Sequence, residues 1–318
     1  MILSHFVDFT IGLCLMWLAS GLVVKGIEKF SKDTKISVFA TSFLILGVLT
    51  SLTEISVGLN AVLEHRPEIF VGNLIGGSFV IVMLIIPILA ILNNGISFRH
   101  KLDQKRLLFF LFLITTPALV AVDGRVSNFD AVLIVGLYLL FFYLFQSREQ
   151  ILDRVTETRH GRAAATDVIG VIIGAVIIYI SGKILVDKTV VIAEFLEVSP
   201  LLVSLMLLSV GTNLPEMMLA VRSIKNKHSE IAFGDYIGSA AMNAVLFGIF
   251  TLLHGSFLVE TRGFIPLTLL IMIGYAMFFI FSRIKNRLSP AEGVILILIY
   301  IVFILFQTTE IISLSPVI

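Results

Sequence analysis

Several residue classes are scarce in this chain, and each scarcity excludes something. Cys14 is the only cysteine among 318 residues, so no disulfide within the chain and no cysteine-based metal centre can form. Charged residues make up only 14 %, against roughly a quarter in soluble domains. Lys and Arg nearly balance Asp and Glu, leaving a formal net charge of +1 and no basic footprint for nucleic acid. The motifs HExxH, GxSxG and GxxxxGK[ST] are missing as well, so the sequence predicts no enzyme and no intrinsic ATP hydrolysis.

What remains is apolar. Hydrophobic residues reach 58 % and the mean hydropathy is +1.03. A hydrocarbon layer about 30 Å thick needs roughly 20 mostly apolar residues in a helix, because no water there can satisfy an open backbone. Ten segments meet that requirement, near residues 6–27, 36–63, 69–94, 106–122, 128–146, 166–187, 198–223, 230–253, 262–282 and 291–312. The expectation is an all-α integral membrane protein of ten transmembrane helices, in contact with the lipid bilayer. The first run is longer than a signal-peptide core and follows no Lys or Arg, so it reads as a retained span.

Basic residues near span ends mark the cytoplasmic side. They gather after the odd-numbered spans: Lys25 to Lys35, Arg99 to Arg106, Arg148 to Arg162, Arg222 to Lys227, and Arg283 to Arg287. Arg66, Arg125, Lys188 and Arg262 are the few on the other side, with Lys183 inside the sixth span. Both termini are therefore expected outside the cytoplasm.

Sliding the chain against itself by 162 residues, the separation of Glu54 and Glu216, aligns two stretches without a gap. Thr50 meets Thr212, Leu52 meets Leu214, Glu54 meets Glu216, Glu68 meets Glu230, Gly72 meets Gly234, Ile75 meets Ile237 and Gly76 meets Gly238. Chance rarely keeps a charge paired within apolar runs. The offset lays span 2 over span 7 and span 3 over span 8, so each half holds five spans, and an odd number inverts the second half in the membrane. The expected units are residues 1–146 and 166–318, two inverted five-helix repeats joined by the polar cytoplasmic linker 147–165.

Glu54 and Glu216 fall near the centres of spans 2 and 7, where an uncompensated charge costs at least about 3 kcal/mol. With no Lys or Arg at comparable depth in either span, two carboxylates facing one cation is the leading reading. Two protonated glutamates bonded to neighbouring helices is the alternative. Thr50 and Ser51 precede the first glutamate; Gly211, Thr212, Asn213 and Pro215 precede the second. Proline removes a backbone donor, and carbonyls released at such a break can join two carboxylates around a hard divalent ion. The plainer account of the threonines is hydroxyl bonding to the preceding turn.

In span 8, Asp235, Ser239 and Asn243 recur every four residues on one helical face. The matching face of span 3 is Asn73, Gly77 and Ile81, nearly apolar past its first turn. The glycines Gly72, Gly76, Gly77, Gly234 and Gly238 read as close-packing positions. Asp8, Asp130, Asp167, Glu194, Glu197, Glu292 and Glu310 lie near span ends, and His65 and His228 in loops, where solvation accounts for them.

The segments GVLTSLTE with GNLIGG, and SVGTNLPE with GDYIGSAAMN, resemble the two α-repeats of the calcium/cation antiporter superfamily, in particular its sodium/calcium exchanger-like members. The resemblance implies that Glu54 and Glu216 supply Ca²⁺ carboxylates and Thr50 and Thr212 main-chain carbonyls. It places Ser51 and Asn213 beside the site, and Ser239 and Asn243 at positions that help bind Na⁺. No cofactor is implied beyond the transported ions, Ca²⁺ with Na⁺ or H⁺, and no partner beyond inorganic cations and lipid. Departures stand at Leu49 for Gly, Thr53 for Pro, Gly77 for Ser and Ile81 for a polar residue, and at Asp235 for Asn. They leave two alternatives to Ca²⁺/Na⁺ exchange: an H⁺-coupled divalent antiporter with Asp235 or a glutamate as proton carrier, and a cation-binding protein without turnover.

Overall fold

A computed structural model describes residues 2–31, 51–97, 104–146, 165–214, 216–217, 229–259, 264–284 and 287–314. Apolar residues with few polar interruptions build helices here because every backbone donor and acceptor in a lipid environment must be paired within its own segment. The described helices are α1 Ile2–Ser31, α2 Leu52–Leu63, α3 Pro67–Leu92, α4 Gln104–Val120, α5 Asn128–Gln146 and α6 Ala165–Phe195. They continue with α7 Pro200–Thr212, α8 Ser229–His254, α9 Phe264–Ile284 and α10 Pro290–Leu314.

By length and apolar composition, α3, α8, α9 and α10 each contain a stretch able to cross a membrane on its own: Pro67–Leu92, Tyr236–His254, Phe264–Arg283 and Pro290–Gln307. Shorter apolar stretches lie at Leu3–Ala19, Leu52–Leu63, Asn128–Leu144 and Pro200–Thr212. Burial separates the helices into two groups. The α3 and α8 spans are 83 % and 78 % buried, whereas those of α9 and α10 are 39 % and 28 %. Helices α9 and α10 thus form the periphery, with residues such as Ile265, Leu269, Leu298 and Leu305 directed outward. The centre is made by helices carrying glycine, serine, asparagine and glutamate.

Close approach at that centre depends on two glycines. A β-carbon on Gly72 or Gly76 of α3 would collide with the carbonyl oxygens of Leu201 and Leu205 in α7. Both helices also loosen into a π-helical turn, at Ile81–Ile85 in α3 and Ser204–Leu208 in α7. Pro87 explains the first, since it has no N–H to give the carbonyl four residues back, that of Met83. In α4, Pro117 releases the Leu113 carbonyl, and the Thr116 hydroxyl takes it at 2.6 Å.

Two short antiparallel strand pairs join loops distant in sequence. Strand β1, Ile96–Ser97, pairs with β4, Arg287–Leu288; β2, Arg125–Val126, pairs with β3, Phe257–Leu258. Helices α5 and α10 start with the same reciprocal cap. Ser127 N–H donates to Asp130 at 2.9 Å and Asp130 N–H to the Ser127 hydroxyl at 3.3 Å. Ser289 N–H donates to Glu292 at 2.7 Å and Glu292 N–H to the Ser289 hydroxyl at 3.4 Å. Asp130 and Glu292, read from sequence as solvated end charges, are therefore capping-box acids.

Helix α1 packs most extensively on α6, which packs in turn on α2. The α2–α6 seam is polar: Ser56 Oγ donates to the Ile178 carbonyl at 2.9 Å, and Asn60 Nδ2 reaches the Tyr179 carbonyl at 3.4 Å. At the same end, Lys183 meets Glu64 at 2.5 Å and Lys188 meets Asp8 at 2.9 Å. Both lysines on this helix are thus paired with carboxylates at the bundle's edge.

Candidate cation site

Glu54 lies in the first turn of α2 and Glu216 just beyond α7, with 1 % and 0 % of their surfaces exposed. The two carboxyl groups are near enough to act on each other electrostatically. Between them runs a set of contacts from four helices. Thr53 Oγ1 donates to Glu54 Oε2 at 2.6 Å and lies 3.1 Å from the Thr212 main-chain oxygen. Thr212 Oγ1 donates to Asn73 Oδ1 at 3.1 Å, a shorter contact than its 3.4 Å approach to the Ser209 carbonyl. Bonding to the preceding turn is therefore its secondary contact. Asn213 Nδ2 donates to the Ser209 carbonyl at 2.7 Å, and Tyr236 of α8 holds the Glu216 carbonyl at 3.4 Å.

Gly77 of α3 completes the arrangement by leaving room. A β-carbon there would come 2.9 Å from Asn243 Nδ2 and 3.0 Å from Asn213 Nδ2. The sequence reading assigned Gly77 to helix packing together with Gly72 and Gly76, and the structure separates them. Gly72 and Gly76 seat α3 on the α7 backbone; Gly77 faces the two amides.

Several polar atoms at this junction are buried and make no hydrogen bond among the described residues: Glu54 Oε1, Asn73 Nδ2, Asn213 Oδ1 and both amide atoms of Asn243. A buried polar atom left without a partner costs on the order of 1–3 kcal/mol, so a cluster of them points to a ligand or water. No three His, Cys, Asp or Glu converge among the described residues. Two carboxylates, threonine hydroxyl and carbonyl oxygens and amide oxygens make a donor set for a hard cation, unsuited to a soft transition metal.

The positions expected from sequence fall unequally on this geometry. Glu54, Thr212, Asn213 and Glu216 share the junction, Asn243 reaches it beside Gly77, and Ser51 and Ser239 are buried on α2's cap and on α8. Thr50, Pro215, His228 and the linker up to Ala164 lie outside the described residues, and of Asp235 only the helical backbone is described. Two contributors were missed as site residues. Thr53 stood out only as a departure from the family pattern, and Asn73 only as one polar residue on an apolar face. Direct adjacency to Glu54 was the available signal for Thr53.

Packed helices of this apolar composition define a multi-pass membrane protein, with a buried, oxygen-lined junction at its centre. The profile of the sodium/calcium exchanger protein family matches residues 4–146 and 166–309, and the chain belongs to that family, one of transporters rather than enzymes. Among its relatives is the sodium/calcium exchanger MaX1 of Methanosarcina acetivorans, 23 % identical over 348 residues, covering 96 % of this chain and 98 % of that protein. An uncharacterised membrane protein of Methanocaldococcus jannaschii is 26 % identical over 231 residues, with 73 % and 76 % covered. The fold is also that of the sodium-calcium exchanger NCX_Mj, whose structure after soaking with Na⁺ and Sr²⁺ superimposes with a TM-score of 0.69 at 23 % identity, covering 96 % of this chain and 99 % of that one.

Proposed function

We propose that this chain is a secondary active antiporter that exchanges Ca²⁺ for Na⁺ across a cell membrane by alternating access. Glu54 and Glu216 supply the two negative charges for the divalent ion, with the Thr212 carbonyl beside them and Thr50 in the equivalent role on the first half. Ser51, Asn213, Asp235, Ser239 and Asn243 are the nearby positions for the counter-ion. The observation that carries this reading is the meeting of two buried glutamates from positions 54 and 216 beside asparagine amide atoms and a Glu54 oxygen that make no hydrogen bond among the described residues.

The site lies near the membrane midplane between two inverted halves, 1–146 and 166–318, each of five spans, with both termini outside the cytoplasm. Support comes from the strand pairs. Advancing β2 by the repeat offset gives β4, and advancing β1 gives a segment overlapping β3, so the β1–β4 and β2–β3 pairs exchange under the repeat operation. The capping boxes at Ser127 and Ser289 obey the same offset. Two similar halves that can trade conformations would open one site to either side in turn.

Uptake of radioactive Ca²⁺ into proteoliposomes tests the proposal, first under an outward Na⁺ gradient and then under an outward H⁺ gradient. Uptake driven by Na⁺ and abolished in Glu54→Gln and Glu216→Gln is the expected result. Uptake driven only by H⁺ would replace the counter-ion. Saturable binding without flux of any ion would leave a cation-binding membrane protein and end the transport reading.

A further inference from the structure

We infer that Thr53 is a specificity-determining residue of the cation site: its hydroxyl holds one oxygen of Glu54, so that this carboxylate meets the ion through Oε1 alone. The inference rests on the cation-site reading above.

The hydroxyl of Thr53 is fully buried and lies 2.6 Å from Glu54 Oε2 and 3.1 Å from the Thr212 carbonyl oxygen. Oxygens from different residues around one Ca²⁺ stand roughly 2.9 Å or more apart, given metal–oxygen distances of about 2.3–2.6 Å. The Thr53–Glu54 contact is shorter than that and fits a hydroxyl donating to a carboxylate, about 2.5–2.7 Å. Thr53 thus acts as a donor here, and its oxygen is not a neighbouring ligand on the same ion.

A hydroxyl has one proton to give. The nearer carboxylate takes it, which leaves lone pairs on the Thr212 carbonyl for a cation. At Glu54 the oxygens are divided: Oε2 accepts from Thr53, while Oε1 is buried and makes no hydrogen bond among the described residues. A carboxylate oxygen that already accepts a hydrogen bond is the poorer metal ligand of the two, which favours binding through Oε1. Proline, the residue the family pattern has at this position, carries no such donor and would leave both oxygens available.

The consequence is a lower coordination number. Ca²⁺ takes six to eight oxygens and accepts both atoms of one carboxylate, whereas smaller divalent ions keep near-octahedral sixfold shells. Thr53 therefore shifts the balance of the site from Ca²⁺ toward a smaller oxygen-seeking ion such as Mn²⁺. Because Thr53 acts through Glu54, it is a positioning residue, and its removal should change selectivity more than total binding.

The experiment is equilibrium binding of Ca²⁺ and Mn²⁺ to the purified full chain in detergent, at one pH and without Na⁺. Wild type, Thr53→Val, Thr53→Pro and Thr53→Ser are compared, with Glu54→Gln as the control. Position 53 lies in the first turn of α2, where proline is tolerated, so Thr53→Pro provides a second hydroxyl-free variant. Thr53→Val and Thr53→Pro should raise the Ca²⁺ over Mn²⁺ affinity ratio by about fivefold, the worth of one hydrogen bond, while Thr53→Ser keeps the wild-type ratio. Infrared difference spectra on adding Ca²⁺ should show the carboxylate stretches of one-oxygen binding in wild type and Thr53→Ser, and of two-oxygen binding in Thr53→Val.

An unchanged ratio in Thr53→Val or Thr53→Pro overturns the inference, as does a Thr53→Ser ratio that follows Thr53→Val. Two-oxygen spectra in the wild type overturn it independently of affinity. Wild-type protein that binds neither ion, or binds both as well after Glu54→Gln, would instead overturn the cation site on which the inference stands.

Discussion

The two halves of the chain bring unequal chemistry to one junction. On the first half, Glu54 is held by Thr53, Asn73 is the only polar side chain on its face of α3, and the next two positions of that face are Gly77 and Ile81. On the second half, the residues at matching offsets are Glu216, Pro215, Asp235, Ser239 and Asn243. The gap left by Gly77 is filled from across the interface, since the amides of Asn213 and Asn243 occupy the space a side chain would need. Equivalent positions in a duplicated fold therefore need not hold equivalent groups. One half can supply the polar atoms and the other the room for them.

That asymmetry is open to direct test. The largest effect belongs to the pair the halves share: Glu54→Gln or Glu216→Gln should each lower Ca²⁺ uptake by about 100-fold or more, since each leaves a divalent ion with one carboxylate in a buried setting. Substantial uptake in only one variant would show that the ion belongs to one half. Initial rates in proteoliposomes decide between these outcomes.

Next comes Gly77→Ser, which restores the family's side chain to the first half. If the gap is required, the new β-carbon displaces the Asn213 and Asn243 amides and lowers apparent cation affinity by about tenfold. Higher affinity would mean that the two halves were competing for one missing oxygen.

Gly76→Ala probes the packing beneath the site. A β-carbon against the Leu205 carbonyl should cost about 1–3 kcal/mol and lower the melting temperature in detergent. Gly136→Ala, in a helix position with nothing within 4 Å, should leave that temperature unchanged or raise it. The caps provide a symmetric comparison: Ser127→Ala and Ser289→Ala should each cost about 1 kcal/mol by the same melting assay, because the boxes are alike in the two halves.

The smallest effect is at the bundle's edge. Lys183 donates to Glu64 and holds its carboxyl below the usual carboxylate range. A depressed carboxylate contributes stability above its unfolded pKa and loses it as pH falls through the folded one. Glu64→Gln should therefore remove a slight acid-side slope in thermal stability and leave neutral-pH uptake unchanged. The pair is solvent-exposed, so solvent and salt screen it.

Much of this fold is legible in the sequence. An apolar run such as that of α10, from Pro290 to Leu314, announces a helix because lipid forbids any open backbone, and that constraint acts on each segment alone. Glu54 and Glu216 are legible for a related reason: a buried charge is costly, and the cost recurs at a fixed offset. The cap acids Asp130 and Glu292 were misjudged, although the Ser-x-x-acid signature of both boxes was present. Asn73 and the role of Gly77 were not legible, and Thr53 offered only its place beside Glu54. Their meaning depends on which groups oppose them on another helix, and a single chain read in order contains no such information.

The sequence by itself determined the membrane-spanning helical class, the duplicated segments and the two glutamates, because solvation penalties act residue by residue and leave a local mark. Only the tertiary structure decided that Thr53 lies beside the Thr212 carbonyl, that Thr212 meets Asn73, and that Gly77 makes room for two asparagine amides. Hydrogen bonds of about 3 Å between segments far apart in sequence arise from helix packing, and that packing is a property of the folded chain.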